Sequence, residues 1–152
     1  MNFDGSAYMT IDQDIFSLRA FDSLLKKYVD GDIVVAFSGG MDSTVLLRSV
    51  VILRDEGVLP ASIRALHINH QISESSKDWE NHCAKICLEY GVNFKSVEVS
   101  CGENRFGVVT ESAARDARYE VFSAELQSNE TLLLGHHEDD NLETMFLHLM
   151  RG

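Results

Sequence analysis

Five consecutive apolar residues, Ile33-Val34-Val35-Ala36-Phe37, run straight into Ser38-Gly39-Gly40-Met41-Asp42-Ser43, and a helical pattern takes over from Thr44. A strand that is apolar at every position is buried on both faces. Such strands occur where helices cover both sides of a parallel sheet. The junction therefore constrains the whole chain to an α/β architecture with a glycine-rich turn at the carboxyl end of a central strand.

The remaining pattern agrees with that architecture. Thr10-x-x-Gln13 reads as a capping box opening a helix. Ile11, Ile15, Leu18, Phe21, Leu25 and Tyr28 follow at helical spacing, with Lys26 and Lys27 at the carboxyl end. The helix from Thr44 to Glu56 has Gly57 as its terminator, and Pro60 lies in the next turn. Ile63 to Asn69 reads as a second strand. Lys77 to Tyr90 reads as a helix capped by Ser75 or Ser76, with Trp79, Cys83, Ile86, Cys87 and Tyr90 on one packing face. Lys95 to Ser100 alternates as a strand with Val97 and Val99 inward, and Cys101 to Val109, with two glycines, reads as a loop. A helix from about Glu111 to Leu126, a strand from Thr131 to Leu134 and a helix from Asp140 to Met150 complete the order. Alternating strands and helices predict a three-layer, doubly wound parallel sheet of Rossmann type. In such a sheet ligands bind beyond the carboxyl ends of the strands.

Length and composition limit the functions open to the chain. Its 152 residues suit one domain, and 45% apolar residues with a mean hydropathy of −0.08 describe a soluble globular protein. No apolar run has the length of a membrane span, and the acidic start MNFDGSAYMTIDQD has no signal-peptide character, so a cytoplasmic location is expected. The three cysteines, Cys83, Cys87 and Cys101, form no C-x-x-C pair, against both a disulfide framework and a metal knuckle. With 24 acidic and 13 basic residues the net charge is −11. No basic stripe is present for a polyanion, so any hold on nucleic acid is local or comes from elsewhere.

The loop itself has the chemistry of a phosphate seat. Backbone amides and the positive end of a helix dipole converge there, glycines admit an anion closely, and the hydroxyls of Ser38 and Ser43 can donate. Asp42 would repel phosphate unless a cation lay between them, and Mg²⁺ bound by Asp42 and phosphate oxygens resolves the conflict. Taken alone, Gly39-Gly40 is explained as well by a tight turn and Asp42 or Ser43 by helix capping. All six residues behind a buried strand favour the nucleotide. Neither a Walker A lysine nor a G-x-G-x-x-G pattern is present.

Ser38-Gly39-Gly40-x-Asp42-Ser43 after a strand resembles the pyrophosphate loop of the N-type ATP pyrophosphatases, a group that includes GMP synthetase, NAD synthetase and several tRNA-modifying enzymes. Further segments sharpen the likeness: His67-Ile68-Asn69-His70 with Ser76-x-x-Trp79 and Cys83, then Glu111-x-x-Ala114-Arg115-x-x-Arg118-Tyr119, then His136-His137-x-Asp139-Asp140-x-x-Glu143-Thr144. With the loop, they look like the tRNA(Ile)-lysidine synthetase family over about residues 30 to 152.

The resemblance implies an adenine nucleotide alpha hydrolase-like fold, with ATP and Mg²⁺ as cofactors and a C–N bond-forming ligase activity. ATP would adenylate the C2 carbonyl oxygen of the wobble cytidine in tRNA(Ile) with a CAU anticodon. The ε-amine of L-lysine would then displace AMP. ATP would be held by Ser38, Gly39, Gly40, Met41, Asp42, Ser43 and His67, the last mainly through its backbone near adenine. His70 at the same strand end is read alike, and a purely structural role explains both histidines equally well. Asp42 is the expected metal ligand. Asp42, Arg115 and Asp140 are the expected catalytic residues, with Arg115 at the α-phosphate and Asp140 with Glu143 receiving lysine. Asp140 and Glu143 are three apart on a helix, away from its apolar side, although a helix N-terminus alone would also favour them. Arg118 is equally explained by an ion pair with Glu111 or Asp140. Of His136 and His137, one is expected at nucleotide or base and the other in packing, since their spacing is not that of a zinc site. Trp79 and the cysteines are expected to pack in the core.

Three alternatives stand beside this reading. A 2-thiolation enzyme of the same superfamily would want paired cysteines, and Cys83 and Cys87 are one residue too far apart. A nucleotide-binding module without chemistry would not need Asp42, Arg115 or the Asp140 and Glu143 pair. In the family the domain continues past Arg-Gly, and further domains grip the tRNA. The end at Arg151-Gly152 therefore points to a truncated catalytic domain over residues 1–152 that binds ATP but modifies tRNA weakly or not at all by itself. No membrane partner is expected, and a homodimer is left open.

Overall fold

The computed structural model describes residues 8–11, 14–59, 62–70, 75–99 and 111–135. The elements in chain order are β1 (Tyr8–Ile11), β2 (Asp14–Ser17), α1 (Leu18–Tyr28), β3 (Asp32–Ala36), α2 (Met41–Asp55), β4 (Ile63–Asn69), α3 (Ser76–Glu89), β5 (Asn93–Glu98), α4 (Glu111–Glu125) and β6 (Glu130–Leu134). Four strands form one parallel sheet in the order β5-β4-β3-β6.

Alternation along β3 divides the core in two. Ile33, Val35 and Phe37 face Phe21 and Leu25 of α1, Leu47, Val50 and Val51 of α2, and Cys83 and Cys87 of α3. Val34 faces the other way, joining Leu66, Leu132, Leu134 and Phe122 of α4. The fully apolar strand is thus explained as expected, since helices cover both faces of the sheet. The chain winds outward from β3 to β5 and then returns across the sheet through α4 to place β6 on the opposite side of β3. The resulting switch point lies between β3 and β6, at the carboxyl end where the glycine loop begins.

The start of the chain differs from its periodicity. The expected helix over Ile11 and Ile15 is instead an antiparallel pair, with Thr10 opposite Ile15 and Met9 opposite Phe16. Tyr8, Thr10, Ile11, Ile15 and Phe16 are β-branched or aromatic and suit a pleated pair as well as a helical stripe. The helix cap is Ser17, whose Oγ accepts from the Ala20 N–H at 3.4 Å, rather than Thr10. Helix α2 starts at Met41, three residues before the apolar pattern, so half of the loop belongs to its first turn. β5 begins at Asn93 and ends at Glu98, earlier than expected, because its pairing with β4 runs from Arg64–Asn93 to Asn69–Glu98. Gly57 terminates α2 as expected, at a φ of +70°. The expected loop over Cys101 to Val109 and the helix over Asp140 to Met150 lie outside the described residues.

At the amino end of the sheet Arg64 reaches across β3 to Glu130. Its Nε and Nη2 donate to the two carboxylate oxygens, each at 2.6 Å, and Nη2 also donates to the Glu125 carbonyl at 3.0 Å. Lys95 pairs with Glu125 beside it. The bidentate bond to Arg64 holds the Glu130 carboxyl below its ordinary 4.5, and Glu130 in turn raises Arg64. The Glu130 side chain is 7% exposed and that of Arg64 20%, so the pair is only partly screened by water. Glu130→Gln is expected to cost about 1.5–3 kcal/mol, the worth of a charge-assisted hydrogen bond, read as a lower urea midpoint at neutral pH. The depressed carboxyl contributes stability that is complete above its ordinary value and lost as pH falls through the folded one. The stability–pH curve of the variant should therefore be flatter below 4.5 than that of the wild type.

Candidate active site

The turn after β3 is built by a left-handed residue followed by an open helix cap. Gly39 has a φ of +80°, and an added Cβ would lie 2.5 Å from Cys83 Sγ and 3.1 Å from Trp79 Nε1. Glycine is therefore required there on two independent grounds, backbone angle and space. Gly40 occupies the N-cap of α2 in extended conformation and supplies no side-chain cap. The loop's hydroxyls tie it together. Ser43 Oγ donates to Gly40 O at 3.1 Å, Thr44 Oγ1 donates to the same carbonyl at 2.8 Å, and Gly40 N–H donates to Ser38 Oγ at 3.3 Å. The two serine hydroxyls lie 3.0 Å apart and share a hydrogen bond in which either can be the donor. Asp42, half-buried, stands in the first turn of α2, where the dipole favours its negative charge.

Facing this loop is the end of β6. A Cβ on Gly135 would come within 3.3 Å of the Asp42 carbonyl group and the Ser43 nitrogen, so the two backbones lie closer than a side chain ordinarily accepts without a small shift. Between them opens a cavity lined by Ser38, Ser43, Leu66, Ile68, His70, Arg118, Tyr119, Phe122 and Gly135. It lies on the α4 face of the sheet, and its lining combines apolar side chains of β4, β6 and α4 with the polar groups of Ser38, Ser43, His70 and Arg118.

The expected site residues fall at different distances from this cavity. Ser38 and Ser43 line it. His67 is buried and points to the opposite face, with Nδ1 at 2.8 Å from the Phe37 carbonyl and its ring 6.0 Å from that of Phe94. His70, three residues on and of the same parity as Leu66 and Ile68, lines the cavity instead. Burial, then the nearby Arg118 and His67, lowers its pKa below the ordinary 6.5, so it is neutral at pH 7. Arg118 lines the cavity, whereas Arg115 is exposed, with its guanidinium 5.8 Å from the centre of the Tyr119 ring. Asp140, Glu143, His136 and His137 lie outside the described residues. Among the described residues no three His, Cys, Asp or Glu side chains group as a metal site.

Trp79 departs from the core role expected of it. It is 47% exposed, and its Nε1–H donates to the Ser38 carbonyl at 2.7 Å. Cys83 and Cys87 do pack in the core, and burial pushes their thiols up to about 11 and about 12. Such thiols are un-ionised at neutral pH and poorly suited to sulfur transfer.

The turn stands at the switch point of a parallel sheet, with glycines on both sides and a carboxylate in the first helical turn. A protein-family model described as the PP-loop domain matches residues 15–152, and the chain belongs to that family. Within it the chain is similar to enzymes named tRNA(Ile)-lysidine synthase. It is 45% identical over 122 residues to that of Legionella pneumophila strain Paris, covering 79% of this chain and 26% of the relative. It is 43% identical over 135 residues to that of Photorhabdus laumondii, covering 88% and 30%. The chain thus spans about a quarter to a third of the length of these relatives. In structure it is similar to the U34-tRNA thiolase NcsA from Methanococcus maripaludis with its 4Fe-4S cluster, at a TM-score of 0.60 and 18% identity, over 82% of this chain and 47% of that one. That likeness concerns the fold, which is the adenine nucleotide alpha hydrolase type.

Proposed function

We propose that this chain is the ATP-binding and adenylating part of a tRNA(Ile)-lysidine synthase. The observation that carries the proposal is the loop from Ser38 to Ser43, closed against Gly135, in a chain 45% identical to such an enzyme across 122 residues. The loop amides and the Ser38 and Ser43 hydroxyls would hold the β- and γ-phosphates of ATP, with the α-phosphate toward the cavity. The C2 oxygen of the wobble cytidine attacks that phosphorus and the bond to pyrophosphate breaks. The ε-amine of lysine then adds at C2, loses a proton, and AMP leaves.

Asp42 is the group suited to hold Mg²⁺, since it is the acidic residue of the first turn of α2, within the loop, and its charge would otherwise repel the ligand. Mg²⁺ when bound would neutralise the charge of the departing pyrophosphate. Arg118, which lines the cavity, and Arg115, one turn away on the same helix, are the cations proposed for the α-phosphate, and the cavity lining favours Arg118. Asp140 and Glu143 remain the residues proposed for lysine. The neutral His70 can accept or donate at a base edge, and Leu66, Ile68 and Tyr119 offer it an apolar wall. A homodimer stays open, and a cytoplasmic location accords with a tRNA substrate. Among the described residues no helix is long and apolar enough to cross a membrane.

The net charge of −11 offers a polyanion little purchase. The chain by itself is therefore expected to bind ATP, with weak or no lysidine formation. Incubation with ATP, Mg²⁺, lysine and CAU-anticodon tRNA tests this. Robust AMP release that needs both lysine and tRNA would overturn the incompetence of the isolated chain. Failure to bind ATP at all would overturn the functional reading.

A further inference from the structure

The two carbonyl groups at the exit of β3 are each held by a side chain from outside the loop. Phe37 O lies 2.8 Å from His67 Nδ1, which must carry the proton because a carbonyl only accepts. Ser38 O accepts from Trp79 Nε1 at 2.7 Å, with Cys83 Sγ at 3.7 Å behind it. A trans peptide unit is rigid, and its N–H points away from its C=O. Holding these two carbonyls toward α3 and β4 therefore aims the N–H groups of Ser38 and Gly39 the other way, and the left-handed Gly39 then turns the chain into α2.

Packing does not account for Trp79. Its helix buries Cys83 and Cys87 completely, while the indole stays 47% exposed over the loop. The helix is itself anchored next to the indole. The buried Asn69 at the end of β4 donates to Glu80 Oε2 at 2.9 Å, and Lys77 Nζ donates to Glu80 Oε1 at 2.9 Å. Gly39 completes the fit, since any side chain there would displace the sulfur and the indole.

We infer that Trp79 is a positioning residue of the nucleotide site: its indole N–H, acting through the Ser38 carbonyl, aims the first amides of the loop at the phosphates of the ligand. The inference rests on the loop being the seat of ATP. Trp79 touches no reacting atom; it acts by keeping one peptide plane in the orientation that an anion needs, before the anion arrives.

Trp79 is the chain's single tryptophan, so one indole N–H resonance reports on it. That resonance is expected to shift when Mg²⁺ and ATP are added to the wild-type chain. Trp79→Phe keeps an aromatic ring and removes the donor. It should weaken ATP binding about 3- to 10-fold, the effect of losing one hydrogen bond, with little change in Tm. Wild-type affinity in Trp79→Phe, beside a wild-type chain that binds ATP, would overturn the role of Trp79 alone. A wild-type chain that binds no ATP would overturn the reading of the loop instead. Should Trp79→Phe fail to fold, the wild-type resonance decides, and its indifference to ATP would overturn the inference.

Discussion

Gly39→Ala is expected to abolish measurable ATP binding and to remove a large part of the chain's stability. A non-glycine residue at a φ of +80° costs about 1–2 kcal/mol in backbone strain alone. The new methyl carbon would also sit 2.5 Å from Cys83 Sγ, and Cys83 is completely buried and has no room to retreat. Overpacking of that kind costs about 1–3 kcal/mol more. Relief can come only from lifting the loop off α3, which breaks the Trp79 bond and turns the amides away from the phosphates. Gly57→Ala is the matching control: its φ is +70°, but nothing lies within 4 Å of the added carbon. Urea midpoints and ATP titrations of both variants separate the two costs. Equal losses in the two, with ATP affinity kept in Gly39→Ala, would mean that the packing of the loop against α3 is immaterial.

Asp42→Ala should divide activity from stability in the opposite manner. The side chain is half-buried at the start of α2, and losing its charge there removes a dipole interaction of about 0.3–1 kcal/mol. The fold is expected to survive, as a thermal melt of the variant would show. Pyrophosphate release in the complete enzyme should fall by about two to three orders of magnitude, because the phosphates would face the site without their bridging cation. Raising Mg²⁺ should recover little, and Asp42→Asn should behave like Asp42→Ala, since an amide keeps the shape but not the charge. Wild-type pyrophosphate release in either variant would remove Asp42 from the mechanism.

What the chain disclosed by itself followed the range of each interaction. The loop was legible because its own residues, from the apolar β3 through Gly39, Gly40 and Asp42, are contiguous. Helices on both faces followed from the same run, since Val34 and Val35 must each be buried on opposite sides. The first helix was misplaced because Ile11 and Ile15 satisfy helical spacing while also fitting an antiparallel pair, and only the pairing partner decides. Strand parity separates the two histidines at the end of β4: Leu66, Ile68 and His70 share one face and His67 the other. Trp79 was hidden more deeply. Its helical phase with Cys83 is real, but at the end of α3 the same phase that buries a thiol lifts an indole to the rim, where it meets Ser38 from far along the chain. Asp140 and Glu143 still rest on motif resemblance.

The pairing of β3 has a consequence for the order in which this site comes into being. Its partner β4 follows soon after it in the chain, Ile33 lying opposite Ile63, whereas Asp32 meets Glu130 only near the end of the described chain. Closing so long a loop is slow relative to local contacts. On a ribosome the glycine turn, α2 and the indole that steadies it are all made before the strand bearing Gly135 exists. A nascent chain of that length can display the turn but has no facing wall to close over a nucleotide. Capacity to bind ATP should therefore arise late in synthesis, with the docking of β6.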